Sequence, residues 1–133
     1  MKNHKAESVH TITNWYDGAR EGVTDFQGKP HYYACLQDYD YEGKPTPYRL
    51  TPIDEETFRL ELENWDIWLR YEAAFKSGEA TRETHLALPE DQARHEEINR
   101  ILLGKEYERR ESTLIATGEF AYGEKTTVVW DIQ

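Results

Sequence analysis

Apolar and polar residues follow two periods along this chain, and the changes of period divide it into three parts. The first part reads as strands. Val9, Ile12, Trp15 and Tyr16 lie in a β-favourable run that ends at Asp17-Gly18. A short second strand is predicted over 22–26. Gln27-Gly28 then supplies a two-residue turn, because glycine takes positive φ at no steric cost. The chain runs back over 31–36 through Tyr32, Tyr33 and Leu36. Residues 38–47 form a polar loop or hairpin tip containing Gly43, Pro45 and Pro47. Tyr48, Leu50 and Ile53 predict one more short strand leading into a helix.

In the second part the period becomes helical. Asp54 is a good N-cap, with Glu55 and Glu56 placed well for the helix dipole, and the helix should stop at Gly78. At about 100° per residue, Phe58, Leu62, Trp65, Leu69 and Ala73 form one apolar stripe. Leu60, Ile67, Tyr71, Ala74 and Phe75 fall roughly opposite, with Trp68 between. Only Arg59, Glu63, Asp66 and Arg70 make a polar strip. A helix apolar on two faces is normally covered on both. It is expected between the sheet and a second helix, with Trp65 central to the core; the alternative is that one face binds a partner. Residues 79–85 make a connection. Pro89, followed by Glu90 and Asp91, starts a second helix that runs to about residue 103. Continuing it through Gly104 to Arg110 costs about 1 kcal/mol for the glycine.

The third part is strand-like again. Leu114, Ala116, Gly118 and Phe120 alternate with Ile115, Thr117 and Glu119, and Val128, Trp130 and Ile132 alternate with Val129 and Asp131. To place the larger apolar sets on one face, the loop near Tyr122-Gly123-Glu124 needs an odd residue count or a bulge. The order strands, two helices, strands predicts an α+β fold. In it the N- and C-terminal strands join in one curved antiparallel sheet with the two central helices packed on one face. A partly closed, SH3-like barrel is one form the pattern permits. The whole chain, 1–133, reads as one domain, with 1–8 frayed.

Composition narrows the function classes. The formal charge of −10 disfavours direct binding of nucleic acid, which needs Lys and Arg to displace counterions, and of anionic membrane surfaces. An aromatic content of 13% argues against disorder. Cys35 is the single cysteine, so no intramolecular disulfide forms. Residues 1–7 have no apolar stretch of signal-peptide type, and no run approaches the ~20 apolar residues of a membrane helix. A cytoplasmic location is expected.

No motif carries catalysis. Asp38-Tyr39-Asp40-Tyr41-Glu42-Gly43 starts like a calcium loop, but the twelfth position is Arg49 where a bidentate glutamate is needed, and Pro45 and Pro47 interrupt it. None of His4, His10, His31, His85 and His95 has zinc-ligand spacing: on the helix after His95 the next turn supplies Asn99 and Arg100. No metal and no cofactor is implied. Cys35 reads as a small buried thiol and His31 as a hydrogen-bonded strand histidine. Glu61 and Glu72 border the main apolar stripe, where carboxylates reach solvent or pair with a base.

Two stretches look familiar. One is Trp15-Tyr16-Asp17-Gly18 with Gly22, Asp25, Gly28-Lys29-Pro30-His31 and Tyr33. The other is LTPIDEETFRL at 50–60 with Trp65 and Trp68. They resemble a group of small bacterial proteins with no assigned activity, over roughly residues 15–100. The resemblance implies a bacterial source and a single domain, and transfers no catalytic residue.

The remaining signal is a crowding of tyrosines: Tyr32, Tyr33, Tyr39, Tyr41 and Tyr48. Tyrosine gives contact area at low entropic cost. The leading expectation is a non-enzymatic protein-binding module of immunity, antitoxin or anti-defence type. It would present Tyr33, Asp38, Tyr39, Asp40, Tyr41 and Glu42 to a basic protein. The alternatives are a small enzyme or small-ligand binder with a pocket between sheet and helices near His31, Tyr33 and Trp65, and an inhibitor that mimics nucleic acid.

Overall fold

A computed structural model describes residues 5–15, 18–36, 46–80, 87–105 and 113–132. Seven strands, β1 (Ala6–Ser8), β2 (Asn14–Trp15), β3 (Ala19–Phe26), β4 (Lys29–Cys35), β5 (Thr46–Pro52), β6 (Leu114–Ala121) and β7 (Thr127–Ile132), form one antiparallel sheet in the order β1-β7-β6-β5-β4-β3-β2. The sheet curls into a half-barrel. Two helices, α1 (Glu55–Lys76) and α2 (Gln92–Gly104), lie between β5 and β6 in the chain. This is the α+β architecture that the order of elements predicts.

The N-terminal stretch makes both ends of the sheet. Val9 N–H donates to Thr126 O on the β7 side at 3.1 Å, while the next residue, His10, donates to Val23 O on β3 at 2.8 Å. One short segment thus ties the two margins of the curled sheet together and covers what would be open edges. That is why residues 6–8, expected to fray, form a strand instead: the margin of β7 offers them a ladder, paired Ala6 to Val129 and Ser8 to Thr127.

The hairpin turn at Gln27-Gly28 is as expected, with both residues at positive φ (54° and 76°), the type that matches strand twist. The β6–β7 register also follows the pattern. Ala121 pairs with Thr127, which leaves five loop residues and sets Gly118 opposite Trp130 and Phe120 opposite Val128. The inner face is filled by the sheet's own side chains, chiefly Tyr33, Tyr48, Leu50, Phe120, Val128 and Trp130. Its aromatic rings meet at 5.4–6.2 Å, tilted or edge-on, the arrangement that ring quadrupoles favour.

Asp54 caps α1 as predicted, its Oδ1 accepting from Thr57 N–H at 2.7 Å, and Gly78 follows the helix at φ 82°. Pro89 opens a single 3-10 turn that leads into α2. The helices bury a small core of their own: Leu60 and Ile67 of α1 against Ile98 and Leu102 of α2, with Ala87. This reverses the weighting of the two stripes. Of the set opposite the main stripe, Leu60, Ile67 and Tyr71 are buried, while Phe75 at its end is 42% exposed. Phe58, Leu62 and Trp65 are only half-buried, and Leu69 is 42% exposed. Trp65 is therefore not the centre of the core. A helix apolar on two faces gives two equivalent solutions to periodicity, and contact with α2 selects one.

Ion pairs fasten the helix pair along its polar strip. Arg94 forks onto Glu63 (2.6 and 2.8 Å) and Arg70 onto Asp91 (2.9 and 3.0 Å). Lys105 reaches both Asp54 and Glu56 at 2.9 Å. Hydrogen bonding to Thr57 first, then to Lys105, holds the Asp54 carboxyl down at about 2, and the arginines depress Glu63 and Asp91. Depressed carboxylates add stability above their ordinary range that is lost as pH falls through the folded-state value. Asp54→Ala should cost about 1 kcal/mol near neutral pH, an ordinary N-cap loss at an exposed site. The gap should narrow between about pH 4 and pH 2, as the wild-type carboxyl protonates. Urea melts followed by helical circular dichroism at both ends of that window check this; a pH-independent gap would assign the effect to something other than the cap charge.

Candidate functional site

A concavity lies where β2, α1 and α2 meet. It is a cleft of about 410 Å³ walled by Trp15, Trp65 and Trp68, with Glu61, Asn64, His95 and Asn99 among its lining residues. Each wall has a local origin. On α1, positions 61, 64, 65 and 68 fall on one side of the helix by the i, i+3, i+4, i+7 rule. On α2, His95 and Asn99 are i, i+4 neighbours. The third wall, Trp15, is 57% exposed and is held by the edge of the Tyr122 ring, 5.0 Å away at 68°. Tyr122 is itself fixed, stacked on Phe120 and accepting the Ala19 N–H at 2.8 Å.

Across the helix pair three polar side chains close a ring. His95 Nδ1 lies 2.7 Å from Asn64 Oδ1, Asn64 Nδ2 donates to Asn99 Oδ1 at 2.9 Å, and Asn99 Nδ2 lies 3.2 Å from His95 Nε2. These contacts are mutually consistent for one tautomer. The imidazole carries its proton on Nδ1, donates it to Asn64 and accepts from Asn99 on Nε2. Both imidazole nitrogens are then committed. Glu61, expected at the stripe border to reach solvent or pair with a base, is only 8% exposed and so does not reach far into solvent. Glu72 does behave as a border carboxylate and pairs with Lys76 at 2.9 Å.

The residues of the expected His31–Tyr33–Trp65 pocket fall in three different places. Tyr33 has no exposed surface. Its Oη donates to Thr11 O at 2.9 Å inside the barrel, and burial raises its pKa. It can neither line a pocket nor present a binding surface, because an inward strand position in a curled sheet is sealed by the opposite wall. Tyr48 is likewise buried, donating to Ala19 O at 2.6 Å. His31 donates from Nδ1 to Lys29 O at 2.9 Å and lines a separate, largely apolar depression with Phe26, Pro30 and Phe58. Trp65 alone lines the tryptophan cleft. Asp38, Tyr39, Asp40, Tyr41 and Glu42, the expected protein-binding hairpin, lie outside the described residues.

Cys35 is half-buried and accepts from Arg20 Nη1 at 3.1 Å. Among the described residues no group of three or more His, Cys, Asp or Glu side chains is arranged to hold a metal ion, and no helix is long and apolar enough to cross a membrane.

No sequence pattern marks Asn64, and His95 and Asn99 stand out in the sequence only as a helix turn without zinc-ligand spacing. The one local signal was the His95/Asn99 spacing on a helix face. Asn64 stands 31 positions from its imidazole partner, a pairing that no local pattern encodes. No protein-family model, curated protein or solved structure matches this chain, so no residue receives a role by kinship.

Proposed function

We propose that the chain is a non-enzymatic binding protein for a small molecule, taken up in the cleft between β2 and the helix pair. The carrying observation is convergence: three tryptophans and a closed ring of amide and imidazole groups, drawn from three elements, meet on one cavity. Ligand sites characteristically combine apolar aromatic walls with a few fixed polar groups. Pinning Trp15 through Tyr122 removes ordering cost before any ligand arrives. Binding is favoured over catalysis because the histidine of the site has both nitrogens engaged, which leaves none free as a base.

The chain carries its own reporter. It has four tryptophans, and the fourth, Trp130, is buried in the barrel. In a fragment screen read by the indole N–H signals, a cleft ligand should shift Trp15, Trp65 and Trp68 saturably and leave Trp130 in place. A screen in which no compound moves those three signals, or in which Trp130 moves as much as they do, would refute the cleft as the binding site.

A further inference from the structure

We infer that the ligand class of this cleft is a neutral sugar ring, an inference that rests on the small-molecule reading above. The argument begins with the hydrogen-bonding capacity left over at the polar ring. An amide has two N–H donors and an oxygen with two lone pairs. The ring uses one donor and one lone pair on each of Asn64 and Asn99. Each amide therefore keeps one N–H and one acceptor position, and the two amides stand side by side, 2.9 Å apart between Asn64 Nδ2 and Asn99 Oδ1. Adjacent hydroxyls on a pyranose each donate and accept one hydrogen bond, which is the complement of that leftover set.

The apolar wall fits the same ligand. A pyranose presents C–H bonds on one face, and their slight positive charge favours the negative face of an indole. Three indoles line the cleft, where a purely amide-lined site would offer no such wall. Two competing classes fit less well. An anionic ligand meets a chain of formal charge −10. A quaternary ammonium would suit the aromatic walls, but it has no hydrogen-bond donor or acceptor and would leave the spare amide positions unmet. The polar ring itself carries no formal charge in the tautomer its hydrogen bonds require, so a neutral ligand leaves no charge unpaired.

The test uses the full chain and the indole signals. Methyl β-glucopyranoside, N-acetylglucosamine, cellobiose and maltose are titrated in turn, with tetramethylammonium and adenine as the competing classes. At least one sugar should shift Trp65 and Trp68 saturably, with a dissociation constant on the order of a millimolar, as befits a ligand of about a dozen heavy atoms. Asn64→Ala and Asn99→Ser should each weaken that binding about tenfold or more, with the Trp130 signal unchanged as the check that the barrel is intact. Shifts with tetramethylammonium or adenine and none with sugars would overturn the sugar assignment and leave the cleft as a binding site. Sugar shifts that survive both asparagine substitutions would also overturn it. Silence from every probe, together with a failed fragment screen, would remove both readings.

Discussion

Replacing Gly22 by alanine is expected to cost roughly 4 kcal/mol, enough to leave a domain of this size marginal. A Cβ built on Gly22 would lie 2.1 Å from Thr11 O and 2.8 Å from Tyr33 Oη. The first of these is backbone and cannot swing aside. Thr11 is where the N-terminal segment crosses onto β3: its N–H donates to Val23 O, its Oγ1 accepts from Val23 N–H and its carbonyl accepts from Tyr33. Moving it to admit a methyl group breaks a buried network and leaves polar groups without partners, which costs more than the methyl gains. Chemical denaturation of Gly22→Ala gives the number. A loss under about 1 kcal/mol would mean that the N-terminal segment shifts freely and does not clamp the barrel.

Trp130→Ala should be comparably severe, at about 3–5 kcal/mol, the range for deleting a large core aromatic. Trp130 is 6% exposed, packs against Tyr48 and Phe120 at ring separations of 5.4 and 5.7 Å, and lies over Gly118 on the facing strand. A Cβ on Gly118 would come within 2.5 Å of that ring, so the glycine and the tryptophan are two halves of one packing solution. Gly118→Ala should therefore be strongly destabilising in the wild type and much milder when Trp130 is already alanine. A double-mutant cycle measures that coupling. Additive losses would show that the two residues do not share the space the structure gives them.

These two sites also mark the limit of what the sequence conveys. Gly22 and Gly118 read as strand glycines, but nothing local tells which atom fills the missing Cβ position. At Gly22 it is a carbonyl 11 residues back in the chain, and at Gly118 a ring 12 residues ahead. Tyr33 shows the same limit from the other side. Its β-propensity places it in a strand, but only the curl of the sheet turns its face into an interior, and so removes it from the binding surface that a tyrosine count suggests.

What the sequence determined by itself is everything carried by neighbours within a turn or two of chain. The Asp54 cap, the stop at Gly78, the Gln27-Gly28 turn, the start at Pro89 and the odd residue count of the loop between β6 and β7 are such features. Each follows from φ preferences, orphan N–H groups or the strand period, which act locally. Tertiary structure alone decided which apolar stripe of α1 is buried, that residues 6–8 pair with β7, and that Asn64 meets His95 and Asn99 beneath three tryptophans. The physical reason is degeneracy. A helix apolar on two faces satisfies its period with either face inward, and amides and imidazoles pair with whatever the fold brings within about 3 Å. Only closure of the half-barrel and docking of α2 on α1 select one arrangement from the set that local rules leave equal.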